Sequence, residues 1–153
     1  VLIAGEHESD DIQAQLDEAI RRHDLGDVVT QLPQTTQPEA LLHAADFTVL
    51  ASLWEGLPNA VLESLAAGRP ALVSEAANAA GVIDEGGTGW VARTDDVAHL
   101  AARLGEILRL PVTRLEAMRP ACRDRASTYS MPRMVQRYEE LYEELLSGTG
   151  PGA

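Results

Sequence analysis

Short apolar runs alternate with amphipathic stretches from residue 1 to residue 93, and this alternation is the tightest constraint on the fold. Residues 1–4 read as a strand ending at Gly5. Ser9 is placed to cap a helix carrying Ile12, Leu16, Ala19 and Ile20, spaced three or four apart. Residues 24–27, with Gly26, end it. A second strand over 28–32 stops at Pro33, and a short helix follows around 39–45. A third strand at 47–52 leads to a helix at 59–67 closed by Gly68, then a fourth strand at 70–74. Residues 78–83 read as a loop or short helix, 86–89 as a turn and 90–93 as a fifth strand. The rest is helical: 97–110 up to Pro111, then about 114–127, then 132–146 with Met134, Tyr138, Leu141, Tyr142 and Leu145 on one side. Alternating strands and helices predict an α/β fold, a doubly wound Rossmann-like parallel sheet with helices on both faces and a helical C-terminus. The strands are continuous apolar runs, as burial on both faces requires. The 153 residues fit one domain over 1–147, with a Gly/Pro-rich flexible tail at 148–153.

Charge narrows the function. Twelve basic against 24 acidic side chains give −12, which argues against a nucleic-acid or anionic-membrane surface. Every basic residue is Arg, so no Schiff base and no lysine clamp on a phosphate comes from this chain. That usage, with abundant Ala, points to a GC-rich bacterial genome. Cys122 is alone, which excludes an intramolecular disulfide and fits a reducing compartment. No apolar run approaches the ~18 residues needed to span a bilayer. His7, His23, His43 and His99 lack ligand spacing, so solvent-facing or capping roles are expected and no metal. Cys122 has no visible partner base, and Arg69 reads as surface, the alternative being an approach to a ligand from below Gly68.

The chemistry concentrates in Ser52-Leu53-Trp54-Glu55-Gly56-Leu57-Pro58-Asn59-Ala60-Val61-Leu62-Glu63. This is a strand end, a turn and a helix start in a row. In a doubly wound sheet ligands bind outside the carboxyl ends of the strands, where this turn falls. Gly56 lets the backbone approach a ligand or take a positive φ, and Pro58 stiffens the turn. Asn59 is expected as the N-cap. The N–H groups of Ala60 and Val61 would then point out of the helix mouth and form an anion site without a basic side chain. Helical side chains lean toward the N-terminus, so Glu63 can reach back beside that mouth. A carboxylate there suits vicinal hydroxyls such as those of ribose. Singly, Glu63 also reads as a solvated helix residue, Glu55 as a turn residue and Asn59 as an ordinary cap. It is their combination at fixed spacing that points to a ligand.

Glu55 and Glu63, with seven residues between them, resemble the donor site of retaining family 4 glycosyltransferases. The strand 45–52, the passage Glu63-Ser64-Leu65-Ala66-Ala67-Gly68-Arg69-Pro70 and the turn Gly86-Gly87-Thr88-Gly89-Trp90-Val91 are similar to that family's segments. The resemblance implies the C-terminal, nucleotide-sugar-binding half of a GT-B fold, with the N-terminal acceptor domain and first strand upstream in the same polypeptide. It implies that Glu55 contacts the transferred sugar, that Gly56, Leu57, Pro58, Asn59, Ala60 and Val61 hold sugar and diphosphate, and that Glu63 binds the ribose hydroxyls. It also implies a nucleotide-diphosphate sugar, UDP-linked or otherwise, as donor substrate and no cofactor or metal. The Arg and Lys that clamp the diphosphate in this family would precede Val1, so the chain alone is expected to be inert. Where the family often has a Glu after the fourth strand, Asn78-Ala79-Ala80-Gly81-Val82 stands. A cytoplasmic enzyme of bacterial polysaccharide or glycoconjugate synthesis is implied, with membrane contact, at the inner face, through the other domain. The competing expectations are a nucleotide-sugar epimerase of the same fold and a non-catalytic ligand- or protein-binding module.

Overall fold

The structure, a computed structural model, describes residues 1–5 and 9–147. His7 and the expected tail at 148–153 lie outside the described residues. The chain divides into two compact units, Val1–Pro38 and Glu39–Ala153.

The first unit holds β1 (Leu2–Ala4), α1 (Asp10–Arg22) and β2 (Thr30–Leu32). The strands pair in parallel, Leu2 opposite Thr30 and Ala4 opposite Leu32. Ser9 caps α1 as expected, its extended backbone letting Oγ accept the Ile12 N–H at 3.4 Å. Gly26 does not form the left-handed stop. Asp24 takes that conformation, with φ +53°, one of the few residue types besides Gly that tolerates it. A polar triangle ties α1 to β2: the Gln13 amide donates to Asp17 Oδ1 at 2.8 Å and to Gln31 Oε1 at 2.7 Å, and Gln31 donates to Asp17 Oδ1 at 2.8 Å.

The second unit runs through α2 (Pro38–Ala44), β3 (Thr48–Leu50), α3 (Asn59–Ala66), β4 (Ala71–Ser74), β5 (Gly89–Ala92), α4 (Val97–Ile107), α5 (Val112–Ser127) and α6 (Met131–Ser147). Its sheet has the order β3-β4-β5, all parallel. Parallel pairing is thus realised as two hydrogen-bonded ladders, β1-β2 and β3-β4-β5. Burial on both faces holds for central β4, every residue of which is buried. It fails for β1, β2 and β3, whose residues are exposed or half-buried. The core gathers Val61 and Leu65 from α3, Leu72 and Val73 from β4, Ile107 from α4, and Leu115, Met118 and Cys122 from α5. Positions 115, 118 and 122 share one face of α5, which packs on α3. Burying each such side chain stabilises by about 1.5–3 kcal/mol. Gly89 is required by close approach: a Cβ there would collide with the Ala71 carbonyl oxygen.

Two expectations about α3 change. Its N-cap is Pro58 (φ −76°, ψ 95°), and Asn59 is the first helical residue. The Val61 N–H is not free, since it donates to the Pro58 carbonyl at 3.0 Å, as does Leu62 at 3.1 Å. Pro58 is already extended and offers its carbonyl to the first turn, so the helix starts one residue earlier than an Asn cap would set it. The C-terminal end follows the sequence: Gly68 takes φ +73° and closes the helix.

Candidate functional site: the mouth of helix α3

The loop from β3 to α3 carries the expected residues in two tiers. Glu55 is half-buried and accepts a hydrogen bond from Ser52 Oγ at 2.8 Å. Gly56 is exposed, keeps an ordinary φ and has no neighbour within 4 Å of where a Cβ would sit. The positive-φ reason for this Gly therefore does not apply, and open space around the backbone does. Leu57 is exposed, Pro58 is buried, and Asn59 and Ala60 are exposed. Val61 is buried against the core and gives the mouth only its backbone. Glu63 is exposed, and its carboxylate has no partner among the described residues.

The mouth presents two unused donors. The Asn59 and Ala60 N–H groups have no hydrogen-bond acceptor among the described residues, whereas those of Val61 and Leu62 are spent on Pro58. Free amides at a helix N-terminus carry the positive end of the peptide dipoles and favour an anion. Glu55 and Glu63 stand on either side of them in the sequence. A diphosphate suits the amides, and hydroxyl groups suit the carboxylates. Trp54, 83% exposed, adds a large apolar surface next to Glu55 in the same loop. Leu57 of this loop lines a cleft of about 320 Å³ together with Tyr129, Met134, Arg137, Tyr138 and Leu141. The apolar stripe of α6 is exposed along its length rather than packed.

The other sequence candidates settle into structural roles. His23 is the C-cap of α1, His99 Nδ1 accepts the Arg93 N–H at 2.9 Å, and His43 is exposed. Among the described residues, no group of three or more His, Cys, Asp or Glu side chains is placed to hold a metal ion. Cys122 is fully buried, and burial pushes its thiol up to about 11. The turn at 86–89 is held by Thr88, whose hydroxyl accepts the Asp84 N–H at 2.9 Å. Asn78 braces the loop after β4, accepting from Ile83 N at 2.7 Å and donating to its carbonyl at 3.3 Å. Arg69 is not on the surface. It is 8% exposed, and its guanidinium donates to the His43 carbonyl at 2.5 Å. Sequence reasoning gave Ser52 no role, although a hydroxyl three residues before a turn carboxylate is a recognisable local hydrogen-bond spacing.

The parallel α/β unit matches solved glycosyltransferases of the GT-B fold. Its structural neighbours include Anabaena HepE, solved with UDP and with UDP-glucose, at TM-scores of 0.77 and 0.76. Identity to them is 20% and 19%, over 95% of this chain and 40% of that one. The chain belongs to the glycosyl transferases group 1 family, whose sequence model matches residues 1–109. It is 36% identical over 102 residues to the amylovoran biosynthesis glycosyltransferase AmsK of Erwinia amylovora, covering 61% of this chain and 25% of that protein. It is 31% identical over 106 residues to the N,N'-diacetylbacillosaminyl-diphospho-undecaprenol alpha-1,3-N-acetylgalactosaminyltransferase of Campylobacter jejuni, covering 69% of this chain and 28% of that protein. The chain therefore spans about a quarter of the length of the curated relatives it matches. Among the described residues, no helix is long and apolar enough to cross a membrane.

Proposed function

We propose that this chain is the donor-binding half of a retaining glycosyltransferase that takes a nucleotide-diphosphate sugar. The observation that carries the reading is the open mouth of α3, with the unused Asn59 and Ala60 amides flanked by Glu55 and Glu63. The diphosphate sits on those amides. Glu63 accepts hydrogen bonds from the ribose hydroxyls, and Glu55 from hydroxyls of the transferred sugar. In the transfer, the bond between the anomeric carbon and the phosphate oxygen breaks, and the acceptor oxygen bonds to that carbon on the same face. The acceptor proton passes to the departing phosphate oxygen. The helix mouth stabilises the negative charge that grows there, which is electrostatic help from preorganised donors. No residue of this chain serves as nucleophile, and the step calls for no metal or redox cofactor. The acceptor and its binding residues belong to the rest of a longer polypeptide. UDP and UDP-glucose bound to HepE favour a uridine donor.

Calorimetric titration with UDP, GDP and ADP tests this. One of the three should bind, and Glu63→Ala should weaken it by about tenfold, the loss of a charge-assisted hydrogen bond or two, with the urea midpoint unchanged. Binding unaffected by Glu63→Ala contradicts the assignment of the ribose to this carboxylate.

A further inference from the structure

Glu55 is held by a chain of hydrogen bonds that starts in the core. Ser74, the last residue of β4, is 3% exposed. Its hydroxyl accepts the Ala77 N–H at 3.2 Å, which leaves its own hydrogen to donate. It donates to the Ser52 carbonyl oxygen at 2.5 Å. Ser52, two residues beyond β3, then donates its hydroxyl to Glu55 Oε1 at 2.8 Å. The direction of every bond is fixed: a backbone amide N–H only donates, a carbonyl and an ionised carboxylate only accept, and a hydroxyl has one hydrogen to donate. A buried residue of the central strand thereby fixes the backbone of the loop, and that backbone's side chain fixes the carboxylate.

We propose that Ser52 is a positioning residue for Glu55, anchored by Ser74, and that this relay sets recognition of the transferred sugar separately from that of the nucleotide. The proposal rests on the donor-site reading above. Glu55 is half-buried, and among the described residues Ser52 is the hydrogen-bond partner of its carboxylate. One Oε1 lone pair is spent on Ser52, and the remaining carboxylate capacity is turned toward hydroxyl groups of a ligand. The Asn59 and Ala60 amides and Glu63 do not depend on the relay. The two halves of a nucleotide-sugar are therefore read by mechanically separate elements, a loop carboxylate for the sugar and the helix mouth for the nucleotide.

The test compares UDP with UDP-glucose on the 153-residue chain, with GDP and GDP-mannose or ADP and ADP-glucose as the alternative pair if UDP does not bind. In the parent, the sugar nucleotide should bind more tightly than the nucleotide. Ser52→Ala should remove that advantage, weakening the sugar nucleotide about tenfold while the nucleotide changes less than twofold. Ser52→Thr keeps a hydroxyl and should restore the difference. Ser52→Cys keeps the volume but donates weakly, and should behave like Ser52→Ala even if that variant folds poorly. Equal weakening of both ligands, or no weakening of either, overturns the positioning role and leaves the donor site standing. A parent chain that binds none of the three pairs overturns the donor-site reading and this proposal with it.

Discussion

At its C-terminal end α3 is closed on every side, and at its N-terminal end it is open. Below Leu65, Gly68 turns the chain with φ +73° against the Arg123 side chain, Arg69 is buried on the His43 carbonyl, and Ser64 Oγ donates to the Arg69 carbonyl at 3.0 Å. Ser64 also shares a 2.8 Å hydrogen bond with Thr48 of β3. At the other end, two amides and the Glu63 carboxylate have no partner among the described residues. One short helix thus has a foot fixed by packing and a mouth left to something else. The difference teaches how the site is made. A helix of eight residues holds little intrinsic stability, so its mouth stays in place because its foot is bonded into the core. At the foot Ser64 and the Arg69 terminal nitrogen are bonded within the protein, while Arg69 Nε is buried without a partner; at the mouth the amides stay open, as the proposed function requires.

The comparison can be broken at either end. The largest effect is expected at the foot: Leu65→Ala empties a fully buried site and should cost about 3 kcal/mol, read from the urea midpoint. Arg69→Met keeps most of the volume but leaves the His43 carbonyl unpaired, and should cost about 2 kcal/mol. A cost below about 0.5 kcal/mol would place Arg69 among ordinary surface residues. The dry side of α5 that packs on α3 gives a pH signature. Cys122 is held protonated to about 11 from a usual 9.0. Above pH 9 the unfolded thiol ionises while the folded one does not, so the unfolded state binds fewer protons and stability falls as pH rises from 9 to 11. Cys122→Ala should flatten the stability profile in that window; an unchanged slope would deny that this face is dry. The smallest effect belongs to the mouth. Asn59→Ala should move the urea midpoint by less than about 0.5 kcal/mol, because Pro58 is the cap, whereas a true Asn cap would cost about 1 kcal/mol.

Much of this was legible in the residues, and the misses have physical causes. Strand and helix positions followed from apolar spacing, and Gly68 and Ser9 marked their helix ends because each has a local reason to be there. Asn59 misled because Asn is a strong cap in isolation. The competing fact, that Pro58 is already extended with its carbonyl turned into the first turn, is visible only in the backbone. Asp24 replaced Gly26 for a similar reason, since both residue types tolerate the left-handed region and only the chain's path chooses between them. Arg69 sits between a Gly and a Pro and reads as an exposed turn. Its partner is 26 positions away, and no local pattern announces such a bond. The Glu55–Glu63 pattern could be proposed from the residues alone because both carboxylates and the turn between them lie in one short segment. The Ser74 anchor was not, because it comes from the neighbouring strand.

The central claim is that the α3 mouth binds the diphosphate of a nucleotide. It is tested most directly by following the backbone amides of Gly56, Leu57, Asn59, Ala60, Val61 and Glu63 by NMR during titration with UDP, GDP and ADP. The account predicts saturable shifts with one nucleotide, largest at Asn59 and Ala60, smaller at Val61, whose N–H is already bonded to Pro58, and negligible at Leu65. Saturable shifts that leave Asn59 and Ala60 unmoved, or no shift with any nucleotide, would contradict it.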